Sequence, residues 1–191
     1  MKYGTRTGNV AKARTQCTIV GVYDNGQLTE SARVVDRASG GYLRKIIKRG
    51  DFTGKTNQLI VLHDVPGVNA TRVMMAGLGT QESMDAARYA GVARTVIGRL
   101  KALDSKNNLC SLLEVPVPDK SLSWKLTRLL EAFDAGLYQF TEMKGKPPEN
   151  GITMEQIEFL ATDKTEAAEI EEAIRVATAM AKRSEEHTSE L

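Results

Sequence analysis

The chain has 191 residues, 41% hydrophobic and 26% charged, with a formal net charge of +2. That length suits one domain with a linker or the start of a second, and is enough to bury a sizeable core. The charge balance is too mild to imply nucleic acid by itself, and no apolar run approaches the roughly 18 residues of a membrane span.

In chain order, residues 2–7 alternate weakly and read as a first strand. Residues 17–23 (CTIVGVY) are apolar and rich in β-branched side chains, ending at Asn25-Gly26, so a buried strand and a turn are expected. Residues 28–38 read as a short helix with Thr29 as a candidate cap, broken at Gly40-Gly41. Residues 42–48 read as a second short helix, with Tyr42, Leu43, Ile46 and Ile47 on one side and Arg44, Lys45 and Lys48 on the other. Residues 58–63 and 72–78 are strand-length apolar runs joined through Pro66-Gly67. Val92, Val96, Leu100 and Leu103 recur at helical spacing within a long helix over 83–103. Residues 109–115 read as a strand stopped by Pro116. Residues 122–140 read as a strongly amphipathic helix with Asp119 and Ser121 as candidate caps. Residues 144–151 (KGKPPENG) are a loop, 154–161 a final strand and 166–181 a last helix. Strands interleaved with helices predict an α/β layered domain with a mixed, largely parallel sheet flanked by helices.

Several motifs in the chain carry chemistry in other proteins and also have plain structural roles. Gly77-Leu78-Gly79 closes a strand before a helix, where phosphate loops sit, but lacks the third glycine of a dinucleotide fingerprint; a tight turn is the favoured reading. His63 and Asp64 are adjacent in a strand, so their side chains point apart. Cys17, His63 and Cys110 lack the paired spacing of zinc sites, and no metal site is expected. The two cysteines sit in apolar surroundings in a chain that opens on polar residues, which suggests a reducing cytosol. Arg44, Lys45, Lys48 and Arg49 form a small basic patch without interleaved aromatic residues; a solvated helix face is favoured over a DNA contact. Arg49-Gly50-Asp51 is a triplet expected by chance.

The segment from Asp36 to Lys55 (DRASGGYLRKIIKRGDFTGK) resembles the amino-terminal domain of leucyl aminopeptidases, the M17 family of cytosol aminopeptidases. Cys17 to Tyr23, Gln58 to Gly67, Arg72 to Gly79, Trp124-Lys125-Leu126 and Leu137-Tyr138-Gln139-Phe140 resemble further family blocks, in family order from Met1 to about Lys182. The resemblance implies a macro-domain-like fold, a cytoplasmic location, homo-hexamer assembly and a parent enzyme that uses two divalent metals, manganese or zinc, to remove amino-terminal residues from peptides. Some bacterial relatives also bind DNA, and macro domains bind nucleotide-like ligands, so those remain alternative expectations. The family's catalytic signature, close to NTDAEGR, does not occur, and no catalytic, cofactor or metal role is carried over to any residue. The chain is therefore expected to be a non-catalytic amino-terminal piece acting as a scaffold, its own catalytic domain being the missing partner.

The last nine residues, RSEEHTSEL from Arg183, resemble an in-frame translation of a widely used sequencing adapter and are set aside from fold reasoning. Without their one Arg and three Glu, the 26 basic and 24 acidic residues become 25 and 21, a balance of +4. The expected organisation is a macro-like domain over 1–163, the start of an interdomain helix over 164–182 and a non-native tail over 183–191.

Overall fold

The structure is a computed structural model that describes residues 1–142 and 154–188. The expected loop at 144–151 lies outside the described residues. The strands are β1 (Lys2–Thr7), β2 (Cys17–Tyr23), β3 (Leu59–His63), β4 (Arg72–Gly79), β5 (Asn107–Cys110) and β6 (Gln156–Ala161). The helices are α1 (Glu30–Ala38), α2 (Tyr42–Arg49), α3 (Ala86–Ala102), α4 (Leu122–Glu142) and α5 (Lys164–Thr188). They build one sheet in the order β1-β6-β5-β2-β4-β3, parallel throughout except for β3, which runs antiparallel to β4. The mixed, largely parallel α/β fold expected from the sequence is the one observed.

β2 sits centrally and is buried along its whole length, as its unbroken apolar run requires of a strand covered on both faces. Its alternate residues feed two cores. Cys17 and Ile19 join Met74, Leu126, Leu129, Phe133 and Phe159 under α3, α4 and α5. Val20 and Val22 join Val35, Leu43, Ile46 and Phe52 under α1 and α2. α4 reaches the first core wedged between α3 and α5.

Several boundaries differ from the sequence expectation for identifiable reasons. α1 starts at Glu30, because Leu28 is held in a bridge to Val22 and the Thr29 hydroxyl donates to the Gly21 carbonyl (3.0 Å) instead of capping. α3 starts at Ala86, where the Asp85 side chain accepts from the Arg88 amide (2.8 Å); Gln81–Ser83 before it is a 3-10 turn. The strand expected over 109–115 is β5 followed by a 3-10 turn, Leu112–Glu114. Both the amide and the hydroxyl of Ser111 go to the Ile19 carbonyl, and the chain then turns back on itself. Leu112, Leu113 and Val115 are nevertheless buried, so the apolar run reported burial rather than strand. Of the two candidate caps of α4, Ser121 accepts from the Trp124 amide (3.1 Å), whereas Asp119 adopts a positive φ of 57° in the turn before it. α5 begins at Lys164, two residues ahead of the periodic run at 166–181, since the Asp163 carboxylate accepts from the amides of Thr165 and Glu166.

Candidate functional site

The strand order reverses between β2 and β5. β2 leads into α1 on one face of the sheet, and β5 leads through its 3-10 turn into α4 on the other. Such a divergence opens a crevice beyond the carboxyl ends of the strands, where α/β sheets hold ligands. Beside it lies a cavity of about 350 Å³, lined by Gly8 and Asn9 after β1, Ser31 and Val34 of α1, Ser111 and Glu114 after β5, and Leu160, Thr162 and Glu166 around the end of β6.

The polar groups here are engaged with the protein itself. Both oxygens of Glu114 accept from the Ser31 amide (3.1 and 3.2 Å), and one also accepts from the Ser31 hydroxyl (2.9 Å). An amide in the first turn of a helix has no partner inside the helix and attracts negative charge. Glu114 therefore takes the place at the α1 amino terminus that an anionic ligand would occupy. Burial pushes its carboxyl above the usual range, against the bonds from Ser31 that favour the charged form. Lys125 donates to the carbonyls of Leu113 and Val115, holding the same turn from α4, and burial lowers its ammonium pKa while Glu166 and Glu114 oppose that shift. Glu166 accepts from the amide and hydroxyl of Thr162 (2.5 Å each). Asn9 accepts from the Ala11 amide (2.9 Å). The arrangement is a clamp that joins β5 to α1.

Gly77-Leu78-Gly79 is likewise filled from within. The Gly77 amide donates to the Gln58 carbonyl (2.8 Å), the Gly79 amide to the Gly54 carbonyl (2.9 Å), and the Gly77 carbonyl accepts from Asn57 (3.1 Å). A Cβ at Gly77 would run into the Lys55 carbonyl oxygen, so the glycine lets a loop of the same chain approach β4. That is why a bulky residue at Gly77 would probe folding rather than ligand binding.

The four basic residues lie together on α2, and all are exposed. Arg44 is 3.1 Å from the carboxylate of Asp36, which is buried and also accepts from the Arg44 amide. Lys45, Lys48 and Arg49 have no ion-pair partner among the described residues. Cys17 and Cys110 are buried on neighbouring strands, where burial pushes both thiols up to about 12. His63 is exposed at the sheet edge, two strands from Cys17. Among the described residues no three His, Cys, Asp or Glu side chains converge to hold a metal ion. No helix among the described residues is long and apolar enough to cross a membrane. At the opposite end of the strands, a groove of about 620 Å³ runs past the Arg6–Glu158 ion pair (2.6 Å), Arg14, Asn107 and Gln156. The basic patch was readable from sequence as one helix face. The Glu114–Ser31 clamp was not, since 83 residues separate its partners and no local signal links them.

The family model for the cytosol aminopeptidase family, N-terminal domain, matches residues 19–147. Probable cytosol aminopeptidases of Methylobacillus flagellatus and Idiomarina loihiensis are 33% and 32% identical over 181 residues; the match covers 95% of this chain but 36% of theirs. Among solved structures, a mutant of tomato leucine aminopeptidase superposes with a TM-score of 0.66 at 18% identity, covering 93% of this chain and 35% of that one. A macrodomain of Trypanosoma brucei in complex with ADP gives 0.67 at 11% identity, covering 90% and 68%. The macrodomain of Mycobacterium tuberculosis DarG gives 0.62 at 13%, covering 84% and 99%. The folds are shared at identities that speak for architecture alone, while the family match covers most of this sequence. The chain belongs to the cytosol aminopeptidase family, whose amino-terminal domain it matches, and it spans about a third of the length of those relatives.

Proposed function

We propose that this chain serves as the scaffold and assembly domain of a cytoplasmic leucyl aminopeptidase, beside a catalytic domain that uses two divalent metals, manganese or zinc, to remove amino-terminal residues from peptides. The observation that carries this reading is the clamp: at the switch point of the sheet, where α/β folds in general hold ligands, Glu114, Ser31 and Lys125 hold the fold together. In this reading the domain holds the complete enzyme in its hexamer and borders the route to the active site. The 191-residue chain incubated with manganese or zinc and a leucyl amide substrate is expected to release no product. Metal-dependent turnover above a chelated control would overturn the reading.

A second reading, DNA binding, is favoured by one observation: Lys45, Lys48 and Arg49 are exposed on one short helix without acidic partners among the described residues. Phosphate contacts require such unpaired cations and weaken as salt rises. A duplex should then be retarded in a gel at low salt, and neutralising Arg44, Lys45, Lys48 and Arg49 should abolish the shift. Equal retardation by the neutralised variant removes this reading. Binding of a nucleotide-like ligand has less support, because the α1 amino terminus and the Gly77–Gly79 amides already have partners within the chain.

A further inference from the structure

The two edges of the sheet are built differently. β1 carries Lys2 and Arg6, and α5 packs against it, with the Thr5 hydroxyl donating to Glu171 (2.7 Å). Charged side chains and a covering helix are the usual protection of an edge strand. Among the described residues, β3 at the other edge carries no such charge, and no helix packs on it to the extent that α5 packs on β1. Its sequence is LIVLH, with no charge, proline or bulge between Leu59 and Leu62, and among the described residues β4 is its one paired neighbour. Leu59, Ile60 and Val61 remain partly exposed.

The ladder to β4 shows which backbone groups of β3 face outward. The Gly77 amide donates to Gln58 and the Asp64 amide to Thr71, so alternate residues 58, 60, 62 and 64 face β4. The amides and carbonyls of Leu59, Val61 and His63 consequently point away from the sheet. Their side chains share one face: Leu59 and Val61 pack against the core under α3.

We infer that β3 is a self-pairing edge, at which a second copy of this chain adds its own β3 antiparallel about a twofold axis through Val61. A strand that pairs with itself in this way makes an isologous contact. Centred on Val61, the register sets Val61 against Val61 of the other copy, Leu59 against His63, and Ile60 against Leu62. Every outward amide then meets a carbonyl, and no like charges face each other. Flanking Asp64 falls opposite the uncharged Gln58. Continuing a sheet through one short strand buries little area, so the dimer is reversible and concentration-dependent. This inference rests on the assembly role proposed above and names the surface that performs it.

The test uses cysteine pairs, since Cys17 and Cys110 are both buried and free. Facing residues in a hydrogen-bonded antiparallel pair have Cα atoms about 5.5 Å apart, within disulfide reach. Leu59 lies about 14 Å from its own copy across the axis, out of reach. Under mild oxidation Val61→Cys should form a covalent dimer, and Leu59→Cys should not. Val61→Pro removes an outward amide without touching the ladder to β4, a change edge strands tolerate. In sedimentation over a range of concentrations it should stay monomeric, while the parent chain rises toward twice the monomer mass. Its circular dichroism should match that of the parent. Dimerisation of folded Val61→Pro, equal cross-linking of Leu59→Cys, or a parent chain that stays monomeric throughout would overturn the contact. The assembly reading fails separately, if the chain joined to its proposed catalytic domain is also monomeric.

Discussion

Glu114 is bonded three times to Ser31 and yet has a carboxyl pushed up by burial, so the fold holds it at the expense of its charge. The native state then binds the Glu114 proton more tightly than the unfolded chain does. By linkage, this group adds stability as pH falls through its raised native pKa toward the ordinary glutamate value, and that gain is lost as pH rises back through the native pKa. Glu114→Gln keeps an acceptor for the Ser31 amide and removes the charge. Its stability at neutral pH should equal or exceed that of the parent, and the acid-side gain should disappear from a series of urea melts between pH 4.5 and 7. Glu114→Ala leaves the amide without a partner and should cost about 1–2 kcal/mol in the same melts. A Gln variant less stable than the Ala variant would contradict the clamp. Trp124 shows another residue-scale arrangement: it packs on Tyr89 with Lys120 and Arg128 over its ring at 5.3 and 5.6 Å, closing the rim between α3 and α4.

Among elements, the segment that most resembles the family proves to be structural. Asp36 is buried and bonded to Arg44, Leu43 and Phe52 are fully buried, and Gly54 brings the following loop against the Tyr23 carbonyl. The glycines at 54 and 77 let that loop lie directly on the end of β4. A methyl at Gly77 meets backbone rather than a flexible side chain, so Gly77→Ala should destabilise by about 1–3 kcal/mol, as overpacking does. A lower denaturation midpoint with an unchanged slope would bear this out; an unshifted midpoint would mean the loop is not docked as described. Helices and long strands were legible where a period could be read. The amphipathic pattern of residues 42–48 predicts a helix and α2 runs Tyr42–Arg49, because Leu43 and Ile46 fall on one side. The apolar run at 109–115 is ambiguous by itself, since burial of Leu112 and Leu113 in a 3-10 turn looks the same in sequence as burial in a strand.

For the whole molecule, the sequence by itself determined the family, the alternation of strands and helices, and a basic face on α2, because each is written in local order, period or composition. It also determined that residues 17–23 form a buried strand, since a run apolar on both faces must be covered on both; that this strand is central follows from strand order. Only the tertiary structure decided what the ends of the strands do. Glu114 meets Ser31 because β2 and β5 become neighbours, although 83 residues part the two side chains. The amides of Gly77 and Gly79 meet a loop of their own chain and not a phosphate, and the sequence alone does not distinguish those partners. The same holds for β3, whose apolar run announced a strand but not that it closes an edge; that follows from strand order. Local pattern specifies which groups are to be buried, and the long-range pairing of strands selects the partners that satisfy them.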